Sequence, residues 1–209
     1  KAGWGDAMRA YRQALLLDPQ SSQAIIGLSR VLGQLNRKDD AFDTLLQGLD
    51  VAPQDINLLL AVGNAYQSAL DYPAARQAYS RALAIDPNDV SALASMDNLE
   101  LVDGKSSEAL NSLLQLAEDE QGADIYEILA VQYQTRGEWH QALYWRQRAV
   151  AIEPFNGVAW LNLGNQYLGL EDLDNAEVAI SKAIQFRPAS PAALLAMGSI
   201  EEARGVDAQ

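Results

Sequence analysis

Residues 157–190 read GVAWLNLGNQYLGLEDLDNAEVAISKAIQFRPAS. Apolar side chains recur at helical spacing in the first half, at Trp160, Leu163 and Tyr167, and again in the second, at Ala176, Ile180, Ala183 and Ile184. Between the halves stands Glu171-Asp172-Leu173-Asp174, the residue types that end one helix and cap the next. The stretch predicts two helices joined by a turn and closed near Pro188. The same design returns along the chain. Pro19, Pro53 and Pro87 stand 34 residues apart, as do Pro154 and Pro188, and the 67 residues between Pro87 and Pro154 divide into a unit of 34 and a unit of 33. The Asp-Pro or Glu-Pro steps that begin at 18, 86 and 153 end the second helix, because proline disfavours helical geometry in the residue before it. A fixed period in this range marks stacked helical repeats.

With each proline near the end of its unit, five full repeats span 22–55, 56–89, 90–122, 123–156 and 157–190. Half repeats at 1–21 and 191–209 flank them. Gly3-Trp4-Gly5-Asp6-Ala7 aligns with Gly137-Glu138-Trp139-His140-Gln141-Ala142, which puts Trp4 in a turn and leaves the first half repeat with only a second helix. The last half repeat holds only a first helix. Twelve helices are expected: one, five pairs, and one. Both ends then leave an apolar face that a finished array covers with polar capping units. The expectation is a single array that is a fragment of a larger protein, able to stack end to end on itself. Small residues recur at one place in the first helices (Gly63, Ala130, Gly164, Gly198) and at another in the second (Ala41, Ala75, Ala109, Ala142, Ala176). Tyr66, Tyr79, Tyr133 and Tyr167 are the large residues between them, the alternation that interdigitating helices need.

This pattern resembles the tetratricopeptide repeat family over essentially the whole chain. Trp160, Leu163, Gly164, Tyr167, Ala176, Ala183 and Pro188 fall on its signature positions, and Leu59, Val62, Gly63, Tyr66, Ala75, Tyr79, Ala82 and Pro87 repeat the match. The resemblance implies an all-α fold, a right-handed α-solenoid of antiparallel helix pairs whose first helices line a concave, partner-binding groove. The 90–122 unit departs from the pattern: Asp97 replaces the small packing residue, Glu100 the tyrosine and Leu116 the alanine, and Glu120 or Gln121 stands in place of proline. Because a carboxylate at a tight helix contact is costly unless paired or protonated, this unit is expected to tilt so that Asp97 reaches solvent.

Under the same resemblance, the groove is read at the second, fifth, sixth, ninth and twelfth residues of each unit. The ninth position holds Arg30, Asn64, Asn98, Val131, Asn165 and Ser199, and Asn57 and Asn162 extend the series of amides. An amide offers both donors and an acceptor, so such a series can grip an extended backbone whatever its sequence. Leu60, Leu161 and Leu168, with Ile26, Leu101 and Leu195, are interleaved as apolar contacts. Asp124, Glu127 and Glu202 on this face favour a neutral or basic partner. Family members that clamp a terminal carboxylate use basic residues here, and Arg30 alone is basic at these positions; Lys38, Lys105 and Lys182 fall elsewhere.

Composition narrows the work further. With 28 acidic and 15 basic residues, the formal charge of −13 repels nucleic acid and anionic membrane surfaces. No apolar run approaches the ~20 residues of a membrane span. There is no cysteine, so cytoplasm and periplasm are equally compatible. One histidine, His140, sits in a predicted turn, which assembles no triad, and no phosphate loop or spaced calcium ligand set is present. No catalytic residue, metal or cofactor is assigned. The reading is a non-enzymatic scaffold for a protein or peptide segment. The alternative the resemblance allows is the recognition arm of a larger enzyme, of glycosyltransferase or sulfotransferase type, or of a bacterial envelope or polysaccharide-export assembly.

Overall fold

The computed structural model describes residues 2–104, 107–119 and 122–207. Lys105, Glu120 and Gln121, singled out above, lie outside the described residues. The chain is all-α, with no strand among the described residues. Its helices are α1 (Ala2–Leu17), α2 (Ser22–Gln34), α3 (Lys38–Val51), α4 (Ile56–Ser68), α5 (Tyr72–Ile85) and α6 (Val90–Val102), followed by α7 (Glu108–Asp119), α8 (Ala123–Thr135), α9 (Trp139–Ile152), α10 (Gly157–Gly169), α11 (Leu173–Phe186) and α12 (Pro191–Asp207). They belong to two compact units, Lys1–Ser106 with α1 to α6 and Ser107–Gln209 with α7 to α12. Within each unit, consecutive helices pack on one another as antiparallel pairs, the arrangement of an α-solenoid.

The period is visible in the backbone. Side chains of Ser21, Asp55, Asp89, Asn156 and Ser190 accept hydrogen bonds from free N–H groups at the starts of first helices, as N-caps do. Gly122, the corresponding residue before α8, provides no side-chain cap. At the other end, Asn36, Leu70, Gly104, Gly137 and Glu171 all adopt left-handed backbone, with φ between 61° and 74°. Their positions repeat the 34, 34, 33, 34 spacing. Where the next N–H bonds back to the helix, as Arg37 to Leu32, Asp71 to Tyr66, Glu138 to Tyr133 and Asp172 to Tyr167, the turn closes as a Schellman motif.

The core of the first unit holds Leu58, Leu59, Val62, Tyr79 and Ala82. That of the second holds Leu129, Ala130, Ala149, Ala176 and Ile180. A Cβ at position 63 would sit inside the Tyr79 ring, and one at 164 would sit inside the Ile180 side chain. The small residue in the first helix is therefore a contact requirement. Gly198 differs from its equivalents, because nothing lies within 4 Å of the place its Cβ would take. Two further expectations are corrected. Trp4 lies inside α1 and His140 in the first turn of α9, both on helix rather than in turns. Asp97 does not reach solvent: it is 0% exposed on the regular, capped helix α6. Register explains this, since Asp89 and Gly104 hold α6 in phase with the other repeats. The buried carboxylate is not without a partner, which is the condition for keeping it there.

Candidate partner-binding site

In the first unit the first helices α2, α4 and α6 adjoin in sequence. They present Arg30 and Asn57 exposed, and Asn98 half-buried. Leu60 is half-buried against the Leu59, Ala82 and Ala92 cluster, so it is partly a core residue. Asn64 is exposed, yet its Oδ1 lies 2.7 Å from the Tyr79 hydroxyl, which also approaches Gln67 Oε1 at 2.8 Å. The hydroxyl has one proton to donate, so it serves one carbonyl at a time. Burial raises the Tyr79 phenol above its ordinary value, and a side-chain hydrogen bond with Ser95 opposes that.

In the second unit Asn162 and Asn165 stand one helical turn apart on α10 and line a recess of about 230 Å³. Asn162 is committed: its Nδ2 donates to Glu127 Oε2 at 3.0 Å. Asn165 is exposed. Leu161 and Leu168 are half-buried against Ala176, Ile180, Ala196 and Ile200. The floor of the recess is a residue absent from the groove positions read above. Arg146, on α9, is only 8% exposed. One of its Nη atoms donates to Gln166 Oε1, and the other to Gln134 Oε1 at 2.8 Å. Its Nε lies 3.8 Å from Glu127 Oε2. Gln166 in turn donates to the backbone carbonyl of Trp139 at 2.9 Å, and the Trp139 side chain is 45% exposed at the rim.

Electrostatics follow from that burial. It pushes the Glu127 carboxyl above its ordinary value, against the hydrogen bond from Asn162 and the Arg146 charge. It pulls the Arg146 guanidinium down, against Glu127. The two glutamine carbonyls spread the guanidinium charge and hold its plane. Elsewhere in the unit, Arg148 lies 4.7 Å from the Tyr126 ring centre and donates to the Tyr126 and Tyr144 hydroxyls. Lys182 caps the Trp160 ring at 4.0 Å. Those cations are taken up by the protein's own aromatic rings. No group of three or more His, Asp or Glu able to hold a metal occurs among the described residues.

Arg146 was legible. It occupies the same repeat position as Leu45, Tyr79, Leu113 and Ile180, all buried in the structure. A guanidinium in a column of core residues demands polar partners, and Glu127, Gln134 and Gln166 are placed to supply them.

These features define a class: an all-α protein of helix-pair repeats with a polar face on its first helices. Residues 4–64 and residues 158–190 each match a tetratricopeptide repeat profile. Both stretches are thus recognised as tetratricopeptide repeats. Its fold is shared by a tetratricopeptide repeat protein from Parabacteroides merdae (14% identity, 96% of this chain and 80% of that one, TM-score 0.64). It is also shared by TTC0263 of Thermus thermophilus (19% identity, 86% and 98%, TM-score 0.63). The Cut9-Hcn1 hetero-tetramer of APC/C aligns over 95% of this chain at 14% identity and TM-score 0.58, and there the chain spans 40% of its relative. No curated protein sequence matches. No helix among the described residues is long and apolar enough to cross a membrane.

Proposed function

We propose that this chain binds an extended segment of a partner protein along the first-helix face of its repeats, and that it acts by holding that partner rather than by chemistry. A repeat fold of this family supports a protein-interaction role in general. The observation that favours the more specific reading is the recess of the second unit, where amides, a guanidinium and a half-exposed indole converge on one opening. In the first unit, Arg30 and Asn57 are the exposed polar groups best placed to meet a main chain. The formal charge of −13 makes a neutral or basic segment the favoured partner.

Selection of a random peptide library on the full chain tests the proposal. Selected peptides are expected to lose at least tenfold in affinity, a cost of about 1.4 kcal/mol, toward a variant carrying Arg30→Ala, Asn57→Ala and Asn165→Ala, with helicity unchanged. All three side chains are exposed, so folding is not at stake. Peptides that bind the variant as tightly as the parent would remove the first-helix face from the proposal.

A further inference from the structure

The uncommitted hydrogen-bonding groups around the recess of the second unit have a specific composition. Gln134 and Gln166 both spend their carbonyls on Arg146, and Gln166 spends its amide N–H on the Trp139 carbonyl. Gln134 therefore keeps its NH₂ group, and each Arg146 Nη keeps a second hydrogen. Asn162 gives one N–H to Glu127 and keeps its carbonyl and a second N–H. Asn165, exposed, offers both a donor and an acceptor, and Trp139, 45% exposed, also lines the recess. The opening thus has donors on the α8 and α9 side, and carbonyl acceptors together with amide N–H groups on the α10 side. Its floor is charge-balanced, because Glu127 stands beside Arg146.

From this arrangement we infer that the recess reads a primary carboxamide, the side chain of an asparagine or glutamine in the bound segment. The inference rests on the proposed binding face and names what one part of it selects. A carboxamide carbonyl accepts from Gln134 and Arg146 while its NH₂ donates to Asn162 and Asn165, and its planar group stacks against Trp139. A carboxylate matches the donors only, and it places its charge against Glu127 in a chain of net charge −13. An ammonium matches the acceptors only, and it meets the Arg146 guanidinium.

The experiment is a titration of the isotopically labelled full chain with the N-methylamide of N-acetyl-glutamine, whose side chain carries its only primary carboxamide, followed by NMR at the Trp139 indole N–H and the Asn165 and Gln134 side-chain amides. The N-methylamides of N-acetyl-glutamic acid and N-acetyl-lysine, which carry none, serve as competitors of nearly the same size. Saturable shifts are expected for the glutamine probe, with a dissociation constant on the order of millimolar for a ligand this small. The acidic and basic probes are expected to bind at least tenfold more weakly. Asn165→Ala, at an exposed position, is expected to weaken the glutamine probe severalfold and leave the remaining spectrum in place. No saturable shift, an equal response to all three probes, or a preference for the acidic or basic one overturns the inference. Peptide selection separates the two levels of argument. Enriched peptides lacking asparagine and glutamine sink the carboxamide site but leave the binding face, whereas a library that yields no binder removes the face itself.

Discussion

At the scale of single residues, two opposed terms decide what a glycine contributes. Inside a helix, glycine costs about 1 kcal/mol relative to alanine. Forcing a methyl group into a packed contact costs about 1–3 kcal/mol. At Gly63 the Tyr79 ring occupies the space, so Gly63→Ala is expected to destabilise by up to about 2 kcal/mol after the propensity gain. At Gly198 nothing stands in the way, and Gly198→Ala is expected to stabilise by up to about 1 kcal/mol. Urea unfolding of the two variants checks both signs. Glu127 makes a pH prediction. Its folded value is raised above the ordinary 4.5, so the folded state holds the proton more tightly than the unfolded chain. Its contribution is fully present below 4.5 and lost as pH rises through the raised value. The stability difference between the parent and Glu127→Gln should therefore shift in the parent's favour as pH falls through that window; a flat difference curve would show that Glu127 titrates normally. Repeat columns made Gly63 and Gly164 legible as packing residues. Tyr79 was legible as a large core residue, but not its hydroxyl's reach to Asn64. Period alone says where a side chain starts, and a long side chain ends some distance away.

At the scale of elements, the turns inside the helix pairs impose a left-handed residue whatever side chain stands there. Leu70 holds φ 63° and is 70% exposed. For a residue with a Cβ this conformation costs about 1–2 kcal/mol, whereas glycine adopts it freely but loses more entropy on folding. Leu70→Gly is accordingly expected to raise stability by about 0.5–1 kcal/mol, and Gly137→Ala to lower it by about 1 kcal/mol. Thermal melts of both variants test this, and opposite shifts are the diagnostic result. The sequence marked these turns as glycine or aspartate-rich helix ends, but Leu70 bears no such mark. The shape of the turn is set by the helices it joins. Asp97 shows the same override from the other side. Its chemistry argued for a solvent-facing unit, and the phase of α6 between Asp89 and Gly104 placed it in the core regardless.

At the scale of the molecule, charge governs encounter. A field from thirteen net negative charges draws a basic segment from a distance set by screening, about 30 Å at 0.01 M salt and about 8 Å at 0.15 M. Association of a basic peptide with the chain is expected to slow about tenfold or more between those conditions, while dissociation changes little. Stopped-flow measurement at the two salt concentrations tests it, and equal association rates would show that the charge plays no steering role. The all-α repeat architecture and its helix count were legible because a period of 34 repeats the same information five times. The recess was not: the column of equivalent positions marks Arg146 as an exception, but which amides its guanidinium meets depends on where long side chains end in the folded chain. Leu45, Leu113 and Ile180 end their side chains within the core, but Tyr79 and Arg146, at the same position in their repeats, send a polar tip through it to the first helix. In both cases the glutamine at the twelfth position of the repeat receives it, Gln67 in one and Gln134 in the other. A substitution on the rear helix of a pair can thus rewrite the chemistry displayed on the front one, so the surface that meets a partner is set in part by a side chain anchored behind it.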